Sequence, residues 1–157
     1  MSGMKIGVIS DTHNYFDPKI PKLLSGVGHI LHAGDIGQPL ILAQLEAIAP
    51  VTAVGGNTDD PAYRYPLTKA VEICGRKFLV HHIVDPVKLH GDVAARIQIE
   101  KPAIVVFGHT HKPFHGIIEG TTFFNPGYAG KSRFGMERTL AILECNGSEI
   151  RPQYLSL

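Results

Sequence analysis

Short apolar runs that stop abruptly on polar residues recur along the chain. Lys5-Ile-Gly-Val-Ile-Ser10 meets Asp11-Thr12-His13, Gly28-His-Ile-Leu-His-Ala33 meets Gly34-Asp35, and Val51-Thr-Ala-Val54 meets Gly55-Gly56-Asn57. The plainest run, Ala103-Ile-Val-Val-Phe107, leads straight into Gly108-His109-Thr110-His111. All four runs predict strands, and the last, short and rich in β-branched residues, a strand buried on both faces. Helical spacing fills the gaps between them. Pro21 to Val27 predicts a short helix with Leu23, Leu24 and Val27 on its apolar side. Pro39 to Ala49 predicts a longer one, with Pro39 in its first turn and Leu42, Leu45, Ile48 and Ala49 facing inward. The order β-α-β-α-β favours a parallel sheet with right-handed crossovers.

The pattern changes after Asn57. Asp59 to Pro66 is turn-rich loop. Lys69–Cys74 and Lys77–His82 flank Gly75-Arg76, Phe114–Ile118 and Thr121–Phe124 flank Glu119-Gly120, and Thr139–Cys145 and Ser148–Tyr154 flank Asn146-Gly147. Each reads as a hairpin, the last most clearly because Asn and Gly both tolerate positive φ. A helix between Asp85 and Glu100 has two candidate starts, Asp85-Pro86 and Gly91-Asp92, and ends at Lys101-Pro102. The back half is therefore expected to be largely antiparallel.

At 157 residues the chain reads as one domain, residues 1–157. A chain of this size buries about 70% of its unfolded surface and needs no staples. Cys74 and Cys145 are far apart, in no metal-like spacing, and read as reduced core residues of a cytoplasmic protein. No signal peptide or spanning segment is visible. A net charge of +1, without a basic stripe, lacks the footprint of a duplex nucleic-acid binder. The nine histidines are the feature that asks for an explanation.

Five strand ends carry polar groups: Asp11 and His13, Asp35, Asn57, His81, then His109 and His111. They are spaced about one strand-loop-helix unit apart. In open α/β sheets ligands gather beyond the carboxyl ends of the strands, where these groups can converge. Carboxylates, an amide and imidazoles without thiolate suit Mn, Fe, Co, Ni or Zn. The set is too large for one such ion and suits two, about 3.5–4 Å apart, sharing a carboxylate.

In this order, Asp11-Thr12-His13, Gly34-Asp35, Gly56-Asn57, His81 and Gly108-His109-Thr110-His111 resemble the pattern of the calcineurin-like metallophosphoesterases. The likeness is to their small bacterial and archaeal phosphodiesterase branch, and it extends to the turn Asn125-Pro126-Gly127. The resemblance implies an α/β fold, a four-layer α/β/β/α sandwich of two mixed β-sheets flanked by helices. It implies two divalent metal ions, Mn foremost, with Fe, Ni, Co or Zn as alternatives. Asp11, His13 and His111 would hold one, Asn57, His81 and His109 the other, and Asp35 would bridge. The implied reaction is hydrolysis of a small-molecule phosphate ester by a metal-bound hydroxide, with Asp35, Asn57 and His81 in the catalytic machinery. In this register His82 replaces a usual glycine, Tyr128 a usual serine, and Gly55 a commonly larger residue.

His29, His90 and His115 are read as ordinary structural hydrogen-bonders. His32 and Asp59 are expected to orient ligands from behind. Lys131 and Arg133 are candidates for contact with a substrate phosphate. Thr58 follows Asn57, where many larger relatives have a histidine thought to protonate the leaving oxygen. His82 could supply that proton if it faces the metals, but alternation with His81 points it to the other face. The rival function is a non-catalytic interaction scaffold like the retromer subunit of the same fold. A homo-oligomer remains open as a partner.

Overall fold

The computed structural model describes residues 3–147 and 149–157; Ser148, expected to open the last strand, lies outside the described residues. The elements are β1 (Met4–Ile9), α1 (Ile20–Leu23), β2 (His29–His32), α2 (Leu40–Glu46), β3 (Val51–Ala53), β4 (Thr68–Ile73), β5 (Arg76–His81), α3 (Gly91–Glu100), β6 (Ile104–Val106), β7 (Phe114–Ile118), β8 (Thr121–Asn125), β9 (Thr139–Asn146) and β10 (Glu149–Ser156), with a 3-10 turn at Pro61–Tyr63.

Two mixed five-stranded sheets result, ordered β10-β9-β1-β2-β3 and β4-β5-β6-β8-β7. In the first, β1, β2 and β3 run parallel, with Val8 opposite Leu31 and Leu31 opposite Thr52. In the second, β5, β6 and β8 run parallel. The hairpin strands β4, β7, β9 and β10 complete both sheets in antiparallel pairing.

The inner faces of the sheets meet in one core. Ile6, Val8, Leu31, Ala141 and Leu143 come from the first sheet; Phe78, Val80, Ile104, Val106 and Phe124 come from the second. The outer face of the first sheet packs Ile9, Ile30 and Ile142 against Ile20, Leu24, Ile41 and Leu45 of the α1–α2 layer. The outer face of the second packs Leu79, Val105 and Phe123 against Val93 of α3. This is the α/β/β/α sandwich the sequence leads one to expect. Fully burying one such side chain contributes about 1.5–3 kcal/mol, and the strands supply inward residues on both faces.

Element edges shift for local reasons. α3 begins at Gly91 rather than Asp85, because Asp85 closes its own turn: its Oδ1 accepts from Val87 N at 3.1 Å and Lys88 N at 3.3 Å. The expected stripe Leu42, Leu45, Ile48 and Ala49 faces the core, Leu45 and Ala49 buried and Leu42 and Ile48 half-buried against them, and Ile41 joins it. The β4–β5 turn is Cys74-Gly75 rather than Gly75-Arg76, and Ile73 faces Arg76. Among the described residues no helix is long and apolar enough to cross a membrane.

Candidate metal centre

Both sheets turn the carboxyl ends of their parallel strands to the same edge. There β1 delivers Asp11 and His13, β2 Asp35, β3 Asn57, β5 His81 and His82, and β6 His109 and His111. The strand ends are laced together: Asp11 N donates to Gly34 O at 2.9 Å, His13 N to Asp35 O at 2.9 Å, and Gly108 N to His82 O at 3.0 Å. Five site residues lie in the left-handed region: Asp11 (φ 57°), His13 (46°), Asp35 (55°), His109 (74°) and His111 (64°). L-residues avoid this region, and its clustering at one edge is the strain that functional sites hold. The motif glycines are there because nothing larger fits. A Cβ on Gly56 would collide with Asp35, one on Gly108 with Ser10 and Asp11, and one on Gly34 with the His82 ring.

The two buried carboxylates are held alike. Asp11 Oδ2 accepts from Ser10 Oγ at 2.8 Å and from His109 N at 3.1 Å. Asp35 Oδ1 accepts from Thr58 N at 2.9 Å. In each case the other oxygen points into a shared space lined by imidazole nitrogens. Asp11 Oδ1 lies 3.3 Å from His111 Nε2 and 3.7 Å from His13 Nε2. Asp35 Oδ2 lies 3.1 Å from His82 Nε2 and 3.6 Å from His13 Nε2. Asn57 and His109 stand together at the exposed rim, Oδ1 to Nδ1 3.0 Å.

The expectation for the histidine pair reverses. On β5, Phe78 and Val80 point into the core between the sheets, whereas Leu79 points to the α3 side. Alternation continues the inward set to His82, and His81 falls on the outward one. His82 is buried against Asp35, while His81 Nδ1 lies 2.7 Å from Thr68 Oγ1 and meets neither carboxylate. His82 Nδ1 is 2.7 Å from the Ala33 carbonyl, a contact only an N–H can make, so Nε2 is the nitrogen turned towards the acids. Burial depresses the His82 pKa, but the Asp35 and Asp11 carboxylates and the Ala33 carbonyl raise it further, above its ordinary value. Burial likewise pushes Asp35 up, and His82 with the Thr58 N–H pulls it well below the carboxylate range.

His32 and Asp59 act from behind, in different ways. His32 does not touch Asp35. Its Nδ1 accepts from Gly34 N at 3.1 Å, and its Nε2 lies 2.9 Å from Thr12 Oγ1, which donates to Ile36 O at 2.9 Å. Burial holds its pKa down at about 4, so it is neutral, and Nε2–H donates to Thr12. Asp59 clamps two loops, accepting from Ile36 N, Gly37 N and Gly56 N at 2.8–3.1 Å. Asn125 braces the last loop, donating to Gly108 O at 3.1 Å while accepting from Gly127 N at 2.9 Å. Lys131 and Arg133 are exposed beside it. Arg133 lies over the buried Tyr128 ring at 5.2 Å, and that ring packs against His111 at 4.7 Å. Sequence reading missed Ser10, whose only signal was a hydroxyl beside Asp11, and the backbone N–H of Thr58, which leaves no signal in the sequence.

Cations fit this site. Among the described residues, Asp11 Oδ1 and His82 Nε2 are buried without a hydrogen-bond partner. Such a group costs about 1–3 kcal/mol unless something satisfies it. Asp11, His13 and His111 form one group of metal-capable side chains, and Asp11, Asp35 and His82 another, each with its donor atoms within 4.8 Å.

The relatives agree. A family model described as the calcineurin-like phosphoesterase superfamily domain matches residues 4–148. A probable metallophosphoesterase of Methanothermobacter thermautotrophicus is 34% identical, covering 94% of this chain and 89% of its own. A phosphodiesterase of Methanocaldococcus jannaschii is 26% identical, covering 94% and 97%. Vps29 of Entamoeba histolytica, solved in complex with zinc, superposes with a TM-score of 0.74 at 21% identity over 98% and 99% of the two chains, a likeness of fold. With the site spread over the turns that the family model spans, and a third of its residues shared with an archaeal relative, the chain belongs to the calcineurin-like phosphoesterase superfamily.

Proposed function

We propose that this protein is a dinuclear-metal phosphodiesterase acting on a small-molecule phosphate ester. One observation carries the reading: Asp11 Oδ1 and His82 Nε2 are both buried and unpartnered, in one cluster of carboxylates and imidazoles. Asp11, His13, Asp35 and His111 would hold one ion, and Asp35, Asn57, His82 and His109 the other. Mn is the expected metal, with Fe, Ni, Co or Zn as alternatives. Two such ions supply Lewis acidity, lowering the pKa of water from about 15.7 towards about 7 and neutralising charge on phosphoryl oxygens.

The chain's own residues fix that chemistry in place. Ser10 Oγ, His109 N and Thr58 N each hold one carboxylate oxygen so that the other faces inward. Ala33 O sets the His82 tautomer, and Asp59 ties the Asp35 loop to the Asn57 loop. Arg133, which lies over Tyr128, would meet a phosphate oxygen, with Lys131 as the second candidate. With Nδ1–H on the Ala33 carbonyl and Nε2 on a metal, His82 would have no proton to give the leaving oxygen. Thr58 titrates far above neutrality. General-acid help is worth about 10²–10⁴ in rate, so esters with acidic leaving groups are favoured.

Vps29 shares the fold, so the fold by itself leaves the scaffold reading standing. The full donor set favours the enzyme. The test is protein stripped with chelator, reloaded with Mn and assayed on bis(p-nitrophenyl) phosphate and p-nitrophenyl phosphate. The expected result is metal-dependent hydrolysis that favours the diester. No hydrolysis of any ester by fully loaded protein would move the reading to the scaffold.

A further inference from the structure

We propose that the apolar cleft beside His109 is the subsite for an aromatic ester arm of the substrate, with Ile83 and Phe114 as its specificity-determining residues. The proposal rests on the phosphoesterase reading above. The cleft is about 500 Å³, within the size range of small-molecule sites. The loop after His82 and the segment from His109 to Phe114 form its walls. Ile83 is 47% exposed and Phe114 37% exposed, although both are large and apolar. Phe107 backs them, its ring centroid 5.9 Å from that of Phe114.

The cleft runs into the metal centre through shared residues. His109 and Thr110 line one end of it. On its other side His109 meets Asn57 at 3.0 Å. Ile83 lines this cleft and also the smaller one formed by Asn57, His81 and His82, so it sits at their junction. Asp85, His90 and Lys112 also line the cleft, and Asp85 is spent on its own turn, so the apolar contact comes from Ile83, Phe107, Pro113 and Phe114. A ligand bound here would place its charged end at His109 and Asn57 and its apolar end on Phe114. An aryl phosphate ester has that shape and polarity. Exposed apolar side chains gathered beside a polar centre mark a binding surface, whereas the same residues scattered singly would mean nothing.

Non-hydrolysable phosphonates test this without turnover. Calorimetry on Mn-loaded protein compares phenylphosphonate with methylphosphonate, for the wild-type chain and for Ile83→Ser and Phe114→Ala. Circular dichroism checks that both variants remain folded. The expected result is phenylphosphonate binding at least about tenfold more tightly to wild type, as apolar subsites discriminate by that much. Both variants should lose most of the preference while keeping the methylphosphonate affinity. Equal affinities in wild type would overturn the proposal, as would a phenyl preference that survives both substitutions. If loaded protein binds neither phosphonate, the phosphoesterase reading itself fails and this inference falls with it.

Discussion

The two ends of the sandwich are built from the same strands and use the same glycine-rich turns, yet they obey different rules. At the far end two hairpins turn at Cys74-Gly75 and Glu119-Gly120, and the third turns after Asn146, which still pairs with Glu149, rather than at Asn146-Gly147. Their left-handed residues are what tight hairpins demand, and a Cβ on Gly75, Gly120 or Gly147 would meet nothing within 4 Å. At the other end aspartates and histidines take up the positive φ, and Gly34, Gly56 and Gly108 are pressed against His82, Asp35 and Asp11. A far-end glycine serves its own backbone. A site-end glycine makes room for someone else's donor atom. The difference teaches that strain gathers where donors converge, and that the ordinary turns at the far end leave the sheets free to hold it.

Substitutions at the site should break this contrast most strongly. Asp35→Asn removes the charge facing both His13 and His82, and activity should fall by about 10²–10³ or more while circular dichroism stays native. Next come the glycines. Gly56→Ala must displace Asp35 and should cost about 2–3 kcal/mol in a denaturant melt together with metal affinity. Gly120→Ala pays only for its left-handed backbone, about 1 kcal/mol, and should keep its metal. Asp59→Asn loosens the clamp between the Asp35 and Asn57 loops and should weaken metal binding about 10–100-fold by competition with a chromogenic chelator. Asp60, whose carboxylate accepts from Ala62 N in its own turn, should tolerate the same change.

One more effect lies outside the metal cluster and has a definite sign. Burial pushes Asp17 up, but Arg138, 2.7 Å away, and the Lys19 N–H hold its pKa below the ordinary 3.8. A depressed folded pKa adds stability above the unfolded value that is lost as pH falls through the folded one. Asp17→Asn should therefore cost about 1.5 kcal/mol at neutral pH, and its melting curve should approach that of the wild type below about pH 4.

Much of this was legible in the residues. Runs ending on Asp11, Asp35, Asn57 and His109 placed the site at the carboxyl ends of parallel strands, and three hairpin signals gave the antiparallel strands. The exchange of His81 for His82 was not legible, for a physical reason. Phe78, Leu79 and Val80 are all apolar because β5 is covered on both faces, so the strand shows no alternation to say which face looks at the other sheet. The start of α3 was open for a different reason: Asp85 and Asp92 both resemble helix starts, and only the local turn at Asp85 decides between them.

The central claim is a two-ion site in which His82, not His81, holds metal. Elemental analysis of Mn-saturated wild-type, His82→Ala and His81→Ala proteins tests it most directly. The account predicts two ions per chain in the wild type and in His81→Ala, and one in His82→Ala. Saturation of the wild type at one ion, or loss of an ion from His81→Ala but not from His82→Ala, would contradict it.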